Sequence, residues 1–170
     1  SLGGQIAIYQ GLIDLLPNEN ALAMVIAHEI AHIKHRDPIV ALGRGVTIGL
    51  FLSAIVGTNS NALIGNVITE TGHLTILNFN RDQERHADTA ALKAVAAHYG
   101  HINGADALFK KLMQLEDKGT LIVPEFLSTH PLSQARINAI HEHAQQNGWS
   151  PAGATTPLPT FLKAKPEKSD

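Results

Sequence analysis

Cysteine is absent from the 170 residues. That excludes a disulfide framework, a thiol nucleophile and any zinc site built on thiolates, so a metal would have to draw its ligands from His, Asp or Glu. No Lys/Arg block occurs along the chain, and 13 basic against 15 acidic residues leave a net charge of -2. This gives no electrostatic footprint for nucleic acid, which is not expected as a partner. The apolar run Val46 to Val56 is shorter than the roughly 20 residues that cross a bilayer, which favours a buried or interfacial helix. No internal repeat is visible. An initiating Met and a basic-then-apolar signal segment are both missing at Ser1-Leu2-Gly3-Gly4, so the chain reads as a fragment of a longer precursor.

Histidine is what the sequence has in excess. Ten histidines stand against two tyrosines and one tryptophan, and neutral imidazole is the commonest protein metal ligand. With 44% apolar residues the chain can bury one core, expected over residues 1–148, followed by a Pro-rich extended or disordered tail over 149–170.

Local signals set the expected elements. Gln5 to Tyr9, bounded by glycines and rich in β-formers, reads as a short strand. Asn18 is placed to cap a helix that runs to Arg36 and stops before Pro38. Residues 39–80 are Gly-rich and apolar, with helical pieces of uncertain limits. Asn80 caps a helix to Tyr99 ahead of Gly100; Asn103 opens another ending near Gly119; a last helix is expected from Pro131 to Gly148. The fold class is mainly α with a small β-sheet, that is, α+β.

The first long helix carries the informative exception. Its interior from Ala21 to Ile33 is apolar except for His28, Glu29 and His32, and burying three ionisable groups is costly unless they are paired or coordinated. His28-Glu29-Ile30-Ala31-His32 is H-E-x-x-H. Four residues along a helix advance the chain by about 6 Å and turn it about 40° past a full turn, so the two imidazoles project side by side and can grip one Zn2+. Glu29, on the adjoining edge, can reach a water at the metal without being a ligand, which is a general-base position. The same five residues could instead make ordinary core hydrogen bonds, but the apolar setting argues against that.

A catalytic zinc takes three protein ligands and keeps one position for water. A metzincin would need Gly at position 35 and His at 38, where His35 and Pro38 stand. Glu84 and Asp88 lie one turn apart on the helix after Asn80 and give two carboxylates on one face. Glu84 can bind metal while Asp88 orients a ligating histidine. Without the upstream motif the pair would read as a solvated charged face.

Several separate segments resemble the zinc metallopeptidase family that includes the CAAX prenyl proteases and the HtpX-like and BepA-like bacterial envelope proteases. They are the Gly3-Gly4 strand with Gly11-Leu12-Ile13, the Ala27 to His32 helix, Arg81 through Glu84 to Ala87-Asp88, and Ser128-Thr129-His130-Pro131 with Arg136-Ile137. The resemblance spans residues 1 to about 140. It implies a gluzincin-like fold, Glu84 as third zinc ligand, and Asp88 as an orienting group that is sometimes assigned as a proton donor. It also implies a membrane-associated or bacterial cell-envelope location, with membrane contact through a missing N-terminus or residues 39–80. An extended or unfolded polypeptide substrate could add to the edge strand Gln5 to Tyr9.

The remaining histidines divide. His35 lies two turns beyond His28, too far to share an ion, and is expected to pack or to bond a ligand. His86 is about 200° around its helix from Glu84 and is expected at the surface. His73, His98, His101, His141 and His143 have no partner pattern. His130 precedes a helix start, where a loop could bring it to the metal's open position, either to stabilise an oxyanion or to block the site at rest; capping a local turn is the plainer alternative. Arg136 falls on the buried face of the last helix and needs an acidic partner. The expected activity is zinc-dependent endopeptidase cleavage in envelope protein quality control. The alternatives are a zinc-containing chaperone-like domain or a latent, self-inhibited protease.

Overall fold

A computed structural model describes residues 5–56, 79–118 and 129–163. Six α-helices are present among them: α1 (Gln10–Leu15), α2 (Glu19–Lys34), α3 (Asp37–Val56), α4 (Arg81–Tyr99), α5 (Ala107–Asp117) and α6 (Gln134–Gln146), with a 3-10 turn at Thr160–Leu162. Gly3 and Gly4 of the expected strand segment, Ser128, His73 and much of the Gly-rich stretch lie outside the described residues.

Helix ends follow the local chemistry where a cap is present. The Asn18 side chain accepts from Ala21 N at 2.9 Å and starts α2. In α4 the Asn80 side chain accepts from Gln83 N while Gln83 Oε1 accepts from Asn80 N, a capping box that satisfies two orphan donors. Gly100, at φ 75°, closes α4 in the left-handed region that glycine tolerates best. At α6 the cap is Ser133, so Pro131 sits outside and the helix begins later than its proline suggests. Likewise α5 starts at Ala107 rather than near Asn103, because Gly104 takes φ 89° and interrupts any earlier helix.

The expected small sheet is not formed among the described residues, and Gln5 to Tyr9 is in no strand. Its side chains still alternate between exposed and half-buried, but a strand exists only with a partner backbone, and none of the described segments pairs with it. Leu12 N and Ile13 N both bond Tyr9 O, turning the chain directly into α1.

α2 and α4 pack against each other at the centre. One cluster gathers Met24 with Ala91, Leu92 and Val95 of α4, Ile102, Ala105, Phe109, and Ile137, Ile140 and Ala144 of α6. A second joins Leu12 and Leu16 to Ala21, Leu22, Val25, Leu108, Leu112 and Leu158. Burial of the apolar faces of α2 and α4 therefore fixes the polar face that each turns toward the other. The segment after α6 runs extended and is tied to the body: Ile102 N bonds Ser150 O, Glu19 N bonds Thr156 O, and Thr156 N bonds Asn20 Oδ1.

α2 ends at Lys34, two residues short of expectation, and α3 begins at Asp37. Between them Arg36 adopts φ 58°, a left-handed conformation that costs a side-chain-bearing residue about 1–2 kcal/mol. The chain folds back there. α3 exposes Ile39, Val40, Val46 and Phe51. No helix among the described residues is long and apolar enough to cross a membrane.

Candidate metal centre

His28 and His32 leave α2 one turn apart, and both are buried, His32 completely. Their Nε2 atoms lie 3.0 Å apart. Glu84, from the first turns of α4, brings Oε1 to 3.3 Å from His32 Nε2 and Oε2 to 3.6 Å from His28 Nε2. His130, ahead of α6, places Nδ1 at 3.2 Å from His28 Nε2 and 3.0 Å from Glu84 Oε1. The four residues each offer one ligand atom, all within 4.8 Å of one another. Four donors bound at about 2.1 Å in a tetrahedron stand about 3.4 Å apart, which matches these separations.

The outer ring nitrogens explain why the inner ones converge. His28 Nδ1 is 2.9 Å from Asp88 Oδ1, His32 Nδ1 is 2.8 Å from Asp37 Oδ2, and His130 Nε2 is 3.2 Å from Glu29 Oε1. An ionised carboxylate only accepts, so in a neutral ring the hydrogen belongs on the outer nitrogen that faces it. In the neutral rings each inner nitrogen is then left with a lone pair. Three lone pairs and a carboxylate oxygen crowded into one buried spot repel one another unless positive charge sits among them, so the donor set fits a metal cation. Imidazole-rich N and O donors suit zinc.

The charges respond accordingly. Burial, the largest influence on His28, pushes its pKa down. Burial pushes Glu84 up, but the imidazoles of His130 and His32 beside it outweigh this and hold the carboxyl well below its usual range. Glu29 is likewise pushed up by burial and pulled down further by His130. Burial lowers His130, and its bonds to Glu29 and Glu84 more than reverse this, raising it to about 9.

Arg136 braces the carboxylates. Its Nε and Nη2 meet Asp88 Oδ2 and Oδ1 at 2.8 and 2.7 Å, and its Nη1 meets Glu84 Oε2 at 2.6 Å. The guanidinium lies 4.9 Å from the centre of the Phe109 ring. Burial pushes Asp88 up, but the His28 and Arg136 bonds hold it below its ordinary value.

The structure thus brings His28, Glu29, His32, Glu84, Asp88 and His130 together. His35 is exposed, with its ring centre 6.4 Å from that of exposed His86, and bonds no ligand. The expectation of a packing or ligand-bonding role for His35 is corrected, because α2 has already ended and its face turns to solvent. His101 accepts from Asn103 N and bonds Ala154 O, His141 meets Asp106 and His143 lies edge-on to Trp149, all away from the cluster. Two participants escaped the sequence: Asp37, and Phe79, whose ring stacks on His32 at 4.1 Å and 14°. An acidic residue directly after a helix stop and five positions past the second motif histidine was the available signal for Asp37. Phe79 had none.

Residues 1–144 match the model of peptidase family M48. The chain is 30% identical over 143 residues to the mitochondrial metalloendopeptidase OMA1 of Schizosaccharomyces pombe, an alignment covering 82% of this chain and 41% of that protein. It is 28% identical over 153 residues to a putative beta-barrel assembly-enhancing protease of Vibrio cholerae, covering 85% and 31%. A protease HtpX homolog of Thermoplasma volcanium is 33% identical over 101 residues, covering 52% and 32%. The chain therefore spans less than half the length of these relatives. No solved structure matches it.

Proposed function

Because this chain belongs to peptidase family M48, we propose that it is a zinc-dependent endopeptidase domain in which His28, His32 and Glu84 hold the metal and Glu29 is the general base. The observation that carries the reading is the convergence of the lone-pair nitrogens and Glu84 Oε1 on one buried point with the Glu29 carboxylate beside it. Zinc, when bound, brings the pKa of a coordinated water toward 7 and polarises a carbonyl. Glu29 takes the proton of the attacking water and passes it to the leaving nitrogen. Asp88 holds His28 through Nδ1 while both of its own oxygens are gripped by Arg136, so it serves as a positioning residue rather than a proton donor. A casein digestion tests the activity: chelator-sensitive fragments support it, and suppression of aggregation without fragments supports the chaperone-like alternative.

A second reading concerns the resting state. A catalytic zinc keeps one position open, whereas His130 supplies a fourth donor and engages Glu29 as well. The domain is accordingly latent in this arrangement, and His130 would have to swing away for a bound metal and the base to be reached.

The relatives bear on the substrate class. A relative named for β-barrel assembly supports unfolded envelope polypeptides as substrates and an envelope location. Gln5 to Tyr9 forms no strand among the described residues, so the described fold lends no support to peptide addition along it. The exposed apolar side chains of α3 are the surface that would touch a membrane, which co-sedimentation with lipid vesicles checks.

A further inference from the structure

We propose that Asp37, braced by Gln83, is a positioning residue for the metal centre, fixing His32 as the Nδ1–H tautomer and aiming its Nε2 at the ligand cluster. This rests on the reading of that cluster as a metal site. His32 Nδ1 lies 2.8 Å from Asp37 Oδ2, and both residues are buried. The carboxylate can only accept, so the hydrogen must reside on Nδ1 and the lone pair on Nε2. A ligating imidazole held this way is more basic and points in one direction.

The second oxygen of Asp37 is also engaged. Gln83 Nε2 donates to Asp37 Oδ1 at 2.9 Å. Gln83 has no freedom to turn its amide over, because its Oε1 accepts from Asn80 N at 3.0 Å and from Arg44 Nη2 at 3.1 Å. An inverted amide would set its NH2 against two donors and its oxygen against a carboxylate. Phe79 covers one face of the His32 ring and restrains its rotation. The first residue of α3, the first turn of α4 and the residue before the α4 cap therefore meet on one imidazole. The turn at Arg36 makes this possible by returning Asp37 to the histidine five positions before it.

A competing explanation is local. Asp37 is the acidic residue in the first turn of α3, where a carboxylate favours the helix by facing its unpaired amides. That role changes stability and leaves the metal untouched. The two explanations separate on a binding measurement.

The test is zinc affinity of the full chain, read by competition with a chromophoric chelator, together with the visible absorption of the Co2+-loaded protein. The parent, Asp37→Ala, Asp37→Asn and Gln83→Ala are compared. Asp37→Ala is expected to weaken zinc binding by about 10–100-fold and to alter the Co2+ bands, and Gln83→Ala to do both to a smaller extent. Asp37→Asn, whose carbonyl can still accept from His32 Nδ1, is expected to recover part of the affinity. Zinc affinities within twofold of the parent and unchanged Co2+ bands, with only the melting temperature lowered, overturn the proposal. If Asp37→Ala does not fold, parental affinity in both Asp37→Asn and Gln83→Ala overturns it equally. A parent that binds no zinc removes the metal reading and this inference with it, an outcome distinct from silence in the variants alone.

Discussion

His130 Nε2 lies 3.2 Å from Glu29 Oε1, so the base is held by the same imidazole whose other nitrogen faces the ligand cluster. One side chain thus covers two functions at once, and its removal should affect both.

His130→Ala is expected to raise peptidase activity while zinc is retained by the remaining ligands. The measurement is fluorogenic peptide cleavage alongside metal content. A drop in activity at unchanged metal content would assign His130 to oxyanion stabilisation and end the latent reading.

Glu29→Gln removes the base and leaves the metal ligands in place. Cleavage should fall by about 10²–10⁴-fold, the usual range for a lost general base, with zinc content near that of the parent. Activity within a few-fold of the parent would take Glu29 out of the reaction.

Stripping the metal should also destabilise the fold, since a cation that binds only the native state stabilises it by mass action. At free zinc of about 100 times Kd the effect is about 2.7 kcal/mol. A thermal melt with and without chelator reads it as a drop of several degrees, and His28→Ala should melt at the chelated temperature with or without zinc.

Arg136→Ala leaves Asp88 and Glu84 without the guanidinium that spans them. Breaking such a buried pair costs about 3–5 kcal/mol. Arg136→Lys should recover little of this, because an ammonium cannot reproduce the two-pronged grip on Asp88. Denaturant unfolding of the three proteins decides it, and parental stability in the lysine variant would show that charge alone suffices.

Gly104→Ala tests a contact far from the metal. A Cβ there would meet Asn18 Oδ1 at 2.9 Å and Asn20 Cβ at 3.1 Å, on a backbone already at φ 89°. A loss of about 1–3 kcal/mol is expected, measurable by the same unfolding curves, and zinc affinity should be unchanged in the folded protein.

What could be read in advance was whatever depends on short-range chemistry. α4 was legible at both ends because Asn80 and Gly100 are each committed by their own side chain, or lack of one, to a helix boundary. The pairing of His28 with His32, and of Glu84 with Asp88, follows from four-residue spacing on a helix. Arg136 advertised a need for an acid from its inward position, and the structure supplies Asp88 and Glu84. Asp37 was not legible as an orienting group, since its meeting with His32 depends on the left-handed turn at Arg36, a conformation that no glycine announced. Gln5 to Tyr9 carries a strand's alternation, but whether such a segment pairs is decided by a partner elsewhere in the chain. The His35 misreading has another origin: α2 ends at Lys34, one residue before it and two short of the expected Arg36.

The separation between His28 and His130 is 102 residues. During synthesis the H-E-x-x-H helix emerges well before the residues that complete the centre, and long-range contacts of this kind are made late because loop closure must precede them. A chain still being made, or one that has lost its tertiary packing, therefore carries the motif without the hydrolytic apparatus. On the proposed reading, proteolytic competence requires the fully folded molecule, which would spare the newborn chain from cutting itself or its neighbours.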